Sequence, residues 1–164
     1  MGNNDKGKDC MIKKKLQNWW DKKIRLIRFK CYRLNEFVHG NKLKFKFFVN
    51  ENKFKEFVRT RTQVKKIHSK YRKWKFLSEL ENPGFFGLYF REQNLAVINL
   101  PALYRHYKDG EMLLIQVVET TVHEALHHVL HESGHHNPDE SEEIICAMGF
   151  YTGRRKKVFK RRLL

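Results

Sequence analysis

The sequence has few cysteines and no long apolar run, and both absences narrow the classes of protein to which it can belong. Its three cysteines, Cys10, Cys31 and Cys146, are odd in number and widely spaced, unlike a disulfide framework or a CxxC metal site. No run of about 18 apolar residues occurs, so no membrane span is predicted. The polar first ten residues lack the apolar stretch of a signal peptide. We therefore expect a cytoplasmic protein with reduced thiols.

Acidic residues are scarce and unevenly distributed. The chain has 34 Lys and Arg but only 18 Asp and Glu, which gives a net charge of +16. Residues 1–82 have a net charge of +16 and residues 154–164 one of +7, whereas residues 83–153 have one of −7. Positive flanks of this kind favour attraction to nucleic acid or to an anionic membrane. They would equally allow the flanks to dock on the acidic centre of the same molecule.

The length of 164 residues, with 41% hydrophobic residues, suits one compact domain with extensions. We divide the chain into a basic N-terminal extension at residues 1–40, a domain at residues 41–153 and a basic tail at residues 154–164. Within the extension, apolar residues recur at helical spacing, although residues 24–32 are also compatible with an extended form. These apolar residues are Leu16, Trp19, Trp20, Ile24 and Ile27.

The first half of the predicted domain combines a strand with helices. Alternating residues at 43–49 predict a strand with one buried face. The segment Asn50 to Asn52 is suited to capping a helix, and apolar residues then follow a period of three to four up to Leu80. This pattern predicts one long helix or two shorter ones. Strands at residues 85–90 and 95–100, joined by a turn at 91–94, predict a β-hairpin.

The second half predicts two helices in succession. The first begins at Asp109 or Gly110 and ends near Gly134, which is a favourable residue after a helix. The second begins at Asn137, with Pro138 in its first turn, and runs to about Met148. The apolar spacing predicts that the buried stripe of the first helix consists of Leu114, Val117, Val118, Val122, Leu126 and Val129.

The motif His123-Glu124-Ala125-Leu126-His127 lies on the first of these helices. Positions i and i+4 share a helix face, so the two imidazoles can hold one Zn²⁺. Glu124, on the flank of that face, is suited to act as general base towards a water whose pKa zinc lowers to ~7. His128 and His131 are predicted to lie at the surface or behind the ligands.

A catalytic zinc site needs a third protein ligand. The metzincin pattern HExxHxxGxxH is excluded because Leu130 and Ser133 occupy its Gly and last His positions. A carboxylate in the first turns of the following helix is the other common source. We prefer Glu143 and regard Glu142 as the alternative, because the two lie about 100° apart and only one can face the metal. The remaining rivals are His135 and His136.

Residues 84–149 resemble the zincin metallopeptidases of the gluzincin type, in particular the very small minigluzincins. The resemblance rests on the strand at residues 95–100, the helix with the HExxH motif and the following helix with Glu142 and Glu143. It implies an α+β, zincin-like domain in which a twisted antiparallel or mixed sheet packs on the active-site helix and on a "glutamate helix". It also implies a zinc-dependent endopeptidase that flanking segments can hold latent.

The resemblance further assigns roles to individual residues. His123, His127 and a downstream glutamate would be the zinc ligands, and Glu124 would be general base and acid. The strand would form the rim of the cleft and pair with an extended substrate. Its substrate-binding residues would be Ala96, Val97, Ile98 and Asn99. Candidates for steadying the oxyanion are Tyr151, His135 and His136.

Two other functions compete with the peptidase. One is a basic nucleic-acid-binding protein with a structural or vestigial zinc helix, and the other is a protease that acts on nucleic-acid-bound proteins. Glu124 discriminates best between catalytic and structural zinc, because a structural site has no need of a carboxylate beside its first ligand.

Overall fold

The protein combines helices with one small mixed sheet, and its fold class is α+β. A computed structural model describes residues 4–36, 42–62, 70–82, 85–108 and 110–149. The basic tail and Tyr151 lie outside these residues. Within them there are six helices and three strands: α1 (Asn4–Glu36), β1 (Lys44–Phe48), α2 (Glu51–Arg61), α3 (Lys70–Leu80), β2 (Gly87–Phe90), β3 (Leu95–Asn99), α4 (Leu100–His106), α5 (Gly110–Glu132) and α6 (Pro138–Ala147).

The sheet has the strand order β1-β3-β2, so β3 is its central strand. β2 and β3 pair antiparallel, which confirms the predicted hairpin, and β1 pairs parallel with β3. The connection between β2 and β3 is a single 3-10 turn (Arg91–Gln93) that ends at Asn94. Asn94 has a φ of 45°, in the left-handed region that asparagine tolerates better than most residues.

Helices cover both faces of the sheet. On one face, Phe45, Ala96 and Ile98 pack towards α5 and α1. On the other, a cluster of buried residues joins the sheet to α2 and α3; it consists of Phe48, Phe54, Val58, Leu80, Phe90 and Val97. Successive residues of a strand point to opposite faces, so each strand contributes side chains to both faces of the sheet.

The predicted N-terminal extension contains one helix of 33 residues. Residues 24–32, which are also compatible with an extended strand on sequence grounds, are helical. The apolar side of α1 contributes Leu16, Ile27 and Cys31 to the same core cluster as Leu113 and Val117 of α5. The aromatic rings of α1 and β1 also meet, with centroids 4.9 Å apart for Trp20 and Phe47. This part of the chain therefore packs as an integral layer of the fold.

Local signals account for the start of α2. The Asn50 side chain accepts a hydrogen bond of 3.0 Å from the Lys53 backbone N–H, as expected for a cap residue. The predicted helical stretch up to Leu80 is described as two helices, α2 and α3, and residues 63–69 between them lie outside the described part. None of the helices described is both long enough and apolar enough to cross a membrane.

The buried face of α5 differs from the predicted stripe. Of the six predicted residues only Val117 is buried, and Val129 is 38% exposed. The prediction followed apolar periodicity, but α5 turns its motif-bearing face towards β2 and β3. Its remaining sides contact α1, α4 and α6, which leaves most of the predicted residues half-buried. The buried positions instead include several polar ones: Gln116, Thr120, Thr121, His123, Glu124 and His128.

Candidate metal centre

Two histidines of α5 form the first half of the site. His123 and His127 are one helical turn apart, and their ring centroids lie 4.9 Å from each other. His123 is only 3% exposed, and His127 is half-buried. The predicted sharing of one helix face by these two imidazoles is therefore present in the structure.

Glu142 of α6 completes the site. Its Oε2 lies 3.4 Å from Nε2 of His123 and 3.2 Å from Nε2 of His127. The three possible ligand atoms all lie within 4.8 Å of one another. This is the one group of three or more potential ligands that the described part of the chain assembles.

A tight reversal between α5 and α6 brings Glu142 into place. Gly134 has a φ of +93°, and the backbone N–H of His135 donates to the carbonyl of Leu130 at 2.9 Å, as in a Schellman motif. The Asn137 side chain then accepts from the Asp139 N–H at 3.0 Å, and the first turn of α6 begins with a proline. Both termini agree with the sequence-based prediction.

The preferred third ligand, Glu143, is not the residue that faces the histidines. Glu143 is exposed, whereas Glu142 is half-buried between α5 and α6. Neighbouring residues of a helix point about 100° apart, so the rotation of α6 selects one of the two. The length and geometry of the turn determine that rotation, and the carboxylate pattern alone does not reveal it.

The other rivals lie elsewhere. Nδ1 of His135 contacts Oε1 of Glu140 at 3.2 Å, and the His136 ring packs 4.8 Å from that of His131. Neither residue belongs to the group of potential ligands around Glu142. Both interactions join a residue of the turn between α5 and α6 to a residue at the adjoining end of one of these helices.

Glu124 is buried beside the two histidines, with 5% of its surface exposed. Burial raises the pKa of its carboxyl group; the positive charge available on His123 and His127 opposes this rise, and the negative charge of Glu142 adds to it. The carboxyl group is therefore close enough to His123, His127 and Glu142 to interact with their charges.

Gly87 of β2 leaves the space that Glu124 occupies. A β-carbon at position 87 would lie 2.7 Å from Oε1 of Glu124, which is closer than real β-carbons approach other atoms, and 3.0 Å from its Cγ. The sequence-based prediction did not include this residue. The available signal was a lone glycine within a strand pattern, which often marks a close approach of backbone to another group.

A second contact between β2 and α5 was not predicted either. The hydroxyl group of Tyr89 lies 2.8 Å from Nδ1 of His128. His128 was predicted to lie at the surface or behind the ligands. It is fully buried, so the surface position is wrong. Burial raises the pKa of Tyr89 to about 12, so this hydroxyl stays protonated near neutral pH. Tyr89 lies two residues after Gly87, on the same face of the strand, and its contact holds the motif-bearing part of α5 against β2.

The strand predicted to bind substrate, β3, is the central strand of the sheet. β3 pairs with β1 on one side and with β2 on the other, so its backbone has no free edge for a peptide. Asn99 instead donates to the carbonyl of Phe85 at 3.1 Å and caps α4. The parallel pairing of β1 with β3 joins distant parts of the chain, which hairpin signals do not reveal, and the edge next to the site belongs to β2. The four predicted residues are all buried: Ala96, Val97, Ile98 and Asn99.

No protein-family model, no curated protein and no solved structure matches this chain. The residues of the site themselves indicate its chemistry. Two imidazole nitrogens and one carboxylate oxygen, close enough to share an ion, form a donor set that suits zinc. Catalytic zinc sites usually have three protein ligands and an open position, whereas structural sites have four protein ligands.

Proposed function

We propose that this protein is a zinc-dependent endopeptidase of the gluzincin type. The observation that carries the proposal is the convergence of His123, His127 and Glu142 beside the buried carboxyl group of Glu124. The resemblance of the motif order to minigluzincins supports it further. A structural zinc site would explain the three ligands, but it would not explain a buried carboxyl group kept next to them.

The ligand atoms would be Nε2 of His123, Nε2 of His127 and Oε2 of Glu142. Zinc, when bound, supplies a Lewis acid at the position where a peptide carbonyl and a water meet. The protein supplies the proton transfers. Glu124 would accept the proton of the attacking water and deliver it to the leaving amine nitrogen, as a positioned general base and acid.

An extended peptide would bind along β2. Within the described residues, β3 is the one strand that pairs with β2, so the other edge of β2 pairs with no strand. Addition of a strand to a sheet edge is a common mode of peptide recognition. Because Gly87 of this strand lies against Glu124, a peptide paired with β2 would pass close to the general base.

Metal content and metal removal test this proposal. We expect the purified protein to bind about one zinc per chain. Treatment with 1,10-phenanthroline should abolish hydrolysis of casein, and zinc should restore it, since the ligands hold the metal reversibly. Atomic absorption gives the stoichiometry, and release of labelled peptides gives the rate. Failure to bind zinc at micromolar concentration, or zinc binding without cleavage of casein or of a mixed peptide library, would contradict the endopeptidase.

Replacement of Gly87 by Ala should impair hydrolysis without removing the metal. The added methyl group would occupy the position of the Glu124 carboxyl group, so we expect kcat to fall by about tenfold or more, as displacement of a catalytic group does. The zinc content should stay unchanged, because the three ligands lie elsewhere. Steady-state kinetics on a fluorogenic peptide and zinc analysis measure both quantities.

Gly110→Ala is the matched control for this substitution. Among the described residues, a β-carbon there would meet Nε1 of Trp19 alone, at 4.0 Å, so both kcat and zinc content should stay as in the wild type. Equal kcat values for Gly87→Ala and the wild type would show that Glu124 does not need the space beside β2.

A further inference from the structure

We propose that the exposed face of α1 is a docking surface for the phosphate backbone of nucleic acid. Five basic residues define this face, and all five are exposed: Lys14, Lys15, Lys22, Arg25 and Arg28. We refer to them as the basic face of α1. The inference is independent of the proposed hydrolysis, because no residue of the metal centre takes part.

Helical geometry places these residues along one side. Lys14 and Arg25 are eleven residues apart, and Arg28 follows one turn later. Lys15 and Lys22 are seven residues apart, and with the other three they lie within about 140° of the helix circumference. From position 14 to position 28 the helix rises about 21 Å. Duplex DNA carries one negative charge per ~1.7 Å of its axis, so a rod of positive charge of this length faces many phosphates.

Little negative charge opposes the basic face. The acidic residue exposed among these positions is Asp21, and its Oδ1 accepts a hydrogen bond of 2.8 Å from Nε2 of Gln17. Within the described part of the chain, none of the five basic residues forms an ion pair. Their charge is therefore available to a partner.

The basic residues of α2 are arranged differently. Lys55 lies 2.5 Å and Arg59 lies 2.6 Å from the carboxylate of Glu81, which follows α3. Lys55 also lies 3.5 Å from Glu51, which in addition pairs with Arg105 of α4. The charges of Lys55 and Arg59 are therefore paired within the fold, whereas those of the basic face of α1 are directed outwards.

The packing of α1 favours a soluble polyanion over a membrane. A helix that lies in a membrane interface inserts an apolar face among the lipids. The apolar face of α1 is already buried in the core, where Leu16 and Ile27 are 0% and 1% exposed. Among the α1 side chains that the structure describes, the large apolar residues that are exposed, Met11, Leu26 and Tyr32, are separated from one another along the helix. What remains available is charge, and charge alone supports sequence-independent binding to phosphates.

The test compares how tightly two triple variants of the full chain bind a DNA duplex. A duplex of ~20 base pairs is long enough to cover the basic face and to allow the salt dependence of binding to be measured. The α1 variant loses three charges from the basic face through the substitutions Lys22→Gln, Arg25→Gln and Arg28→Gln. The control variant loses three charges from exposed positions outside α1 through Lys42→Gln, Lys44→Gln and Lys108→Gln. Fluorescence anisotropy over a range of salt concentrations gives Kd and its salt slope, and circular dichroism and zinc content show whether each variant is folded.

We expect the α1 variant to bind the duplex about tenfold or more weakly than the wild type. The slope of log K against log salt should fall by ~0.9 for each phosphate that the protein no longer neutralises. The control variant should bind at least several-fold more tightly than the α1 variant. A double variant, Lys14→Gln with Lys15→Gln, should weaken binding in the same way and serves if the triple variant does not fold. Equal losses of affinity in the α1 and control variants would overturn the proposal, as would binding to phosphatidylserine vesicles without binding to the duplex.

Discussion

Replacement of Glu124 by Gln is expected to lower kcat for peptide hydrolysis by ~10²–10⁴-fold, the usual contribution of a general acid–base group. Gln has nearly the same shape, but its amide cannot accept the proton of the attacking water. Because Glu124 is buried and is not one of the three converging ligands, the zinc content and the fold should be unchanged. Kinetics on a fluorogenic peptide, with zinc analysis of the same sample, measure the effect.

The control for this substitution is Glu143→Gln, which makes the same chemical change at an exposed position of α6. It should retain the kcat of the wild type. A Glu124→Gln protein that binds zinc and cleaves at the normal rate would exclude Glu124 as the general base. A protein that loses zinc as well would mean that Glu124 contributes to the metal site itself.

The second large effect concerns the third ligand. Glu142→Gln should weaken zinc binding by more than the ~10–100-fold typical of residues that merely support a ligand. The reason is the position of Oε2 of Glu142, within 3.4 Å of both Nε2 atoms, where an uncharged amide is a poor replacement for a carboxylate. Competition with a chromogenic chelator gives the affinity, and hydrolysis at low free zinc should fall in parallel.

Glu143→Gln is again the matched comparison, and it should leave zinc affinity unchanged. The opposite pattern, with zinc lost in the Glu143 variant and kept in the Glu142 variant, would show that α6 is rotated by about one residue relative to this structure. Unchanged zinc binding in both variants would indicate that the metal takes its third ligand from elsewhere.

Much of the local structure follows from the sequence because its causes are local. The hairpin of β2 and β3, the cap at Asn50 and the reversal from Gly134 to Asn137 each depend on a few neighbouring residues. The pairing of His123 with His127 belongs to the same class, since a helix of 3.6 residues per turn brings positions i and i+4 together in any context.

The features that the sequence did not predict all depend on how one element is oriented against another. The burial of the polar face of α5 and the contact of Tyr89 with His128 arise because α5 crosses the sheet with its motif turned inwards. The space at Gly87 matters only because a helix distant in sequence packs over it. Apolar periodicity describes one element at a time, so it does not reveal such relations.

By itself, the sequence determined an α+β chain with an HExxH helix, a following acidic helix and an uncompensated excess of positive charge, because composition and short-range geometry determine these features. The tertiary structure alone decided that Glu142 and not Glu143 faces the two histidines, and that β2 and not β3 presents an edge near the site. Both depend on long-range packing: the rotation of α6 against α5 selects the carboxylate, and the parallel pairing of β1 with β3 buries the strand to which the resemblance assigned substrate binding.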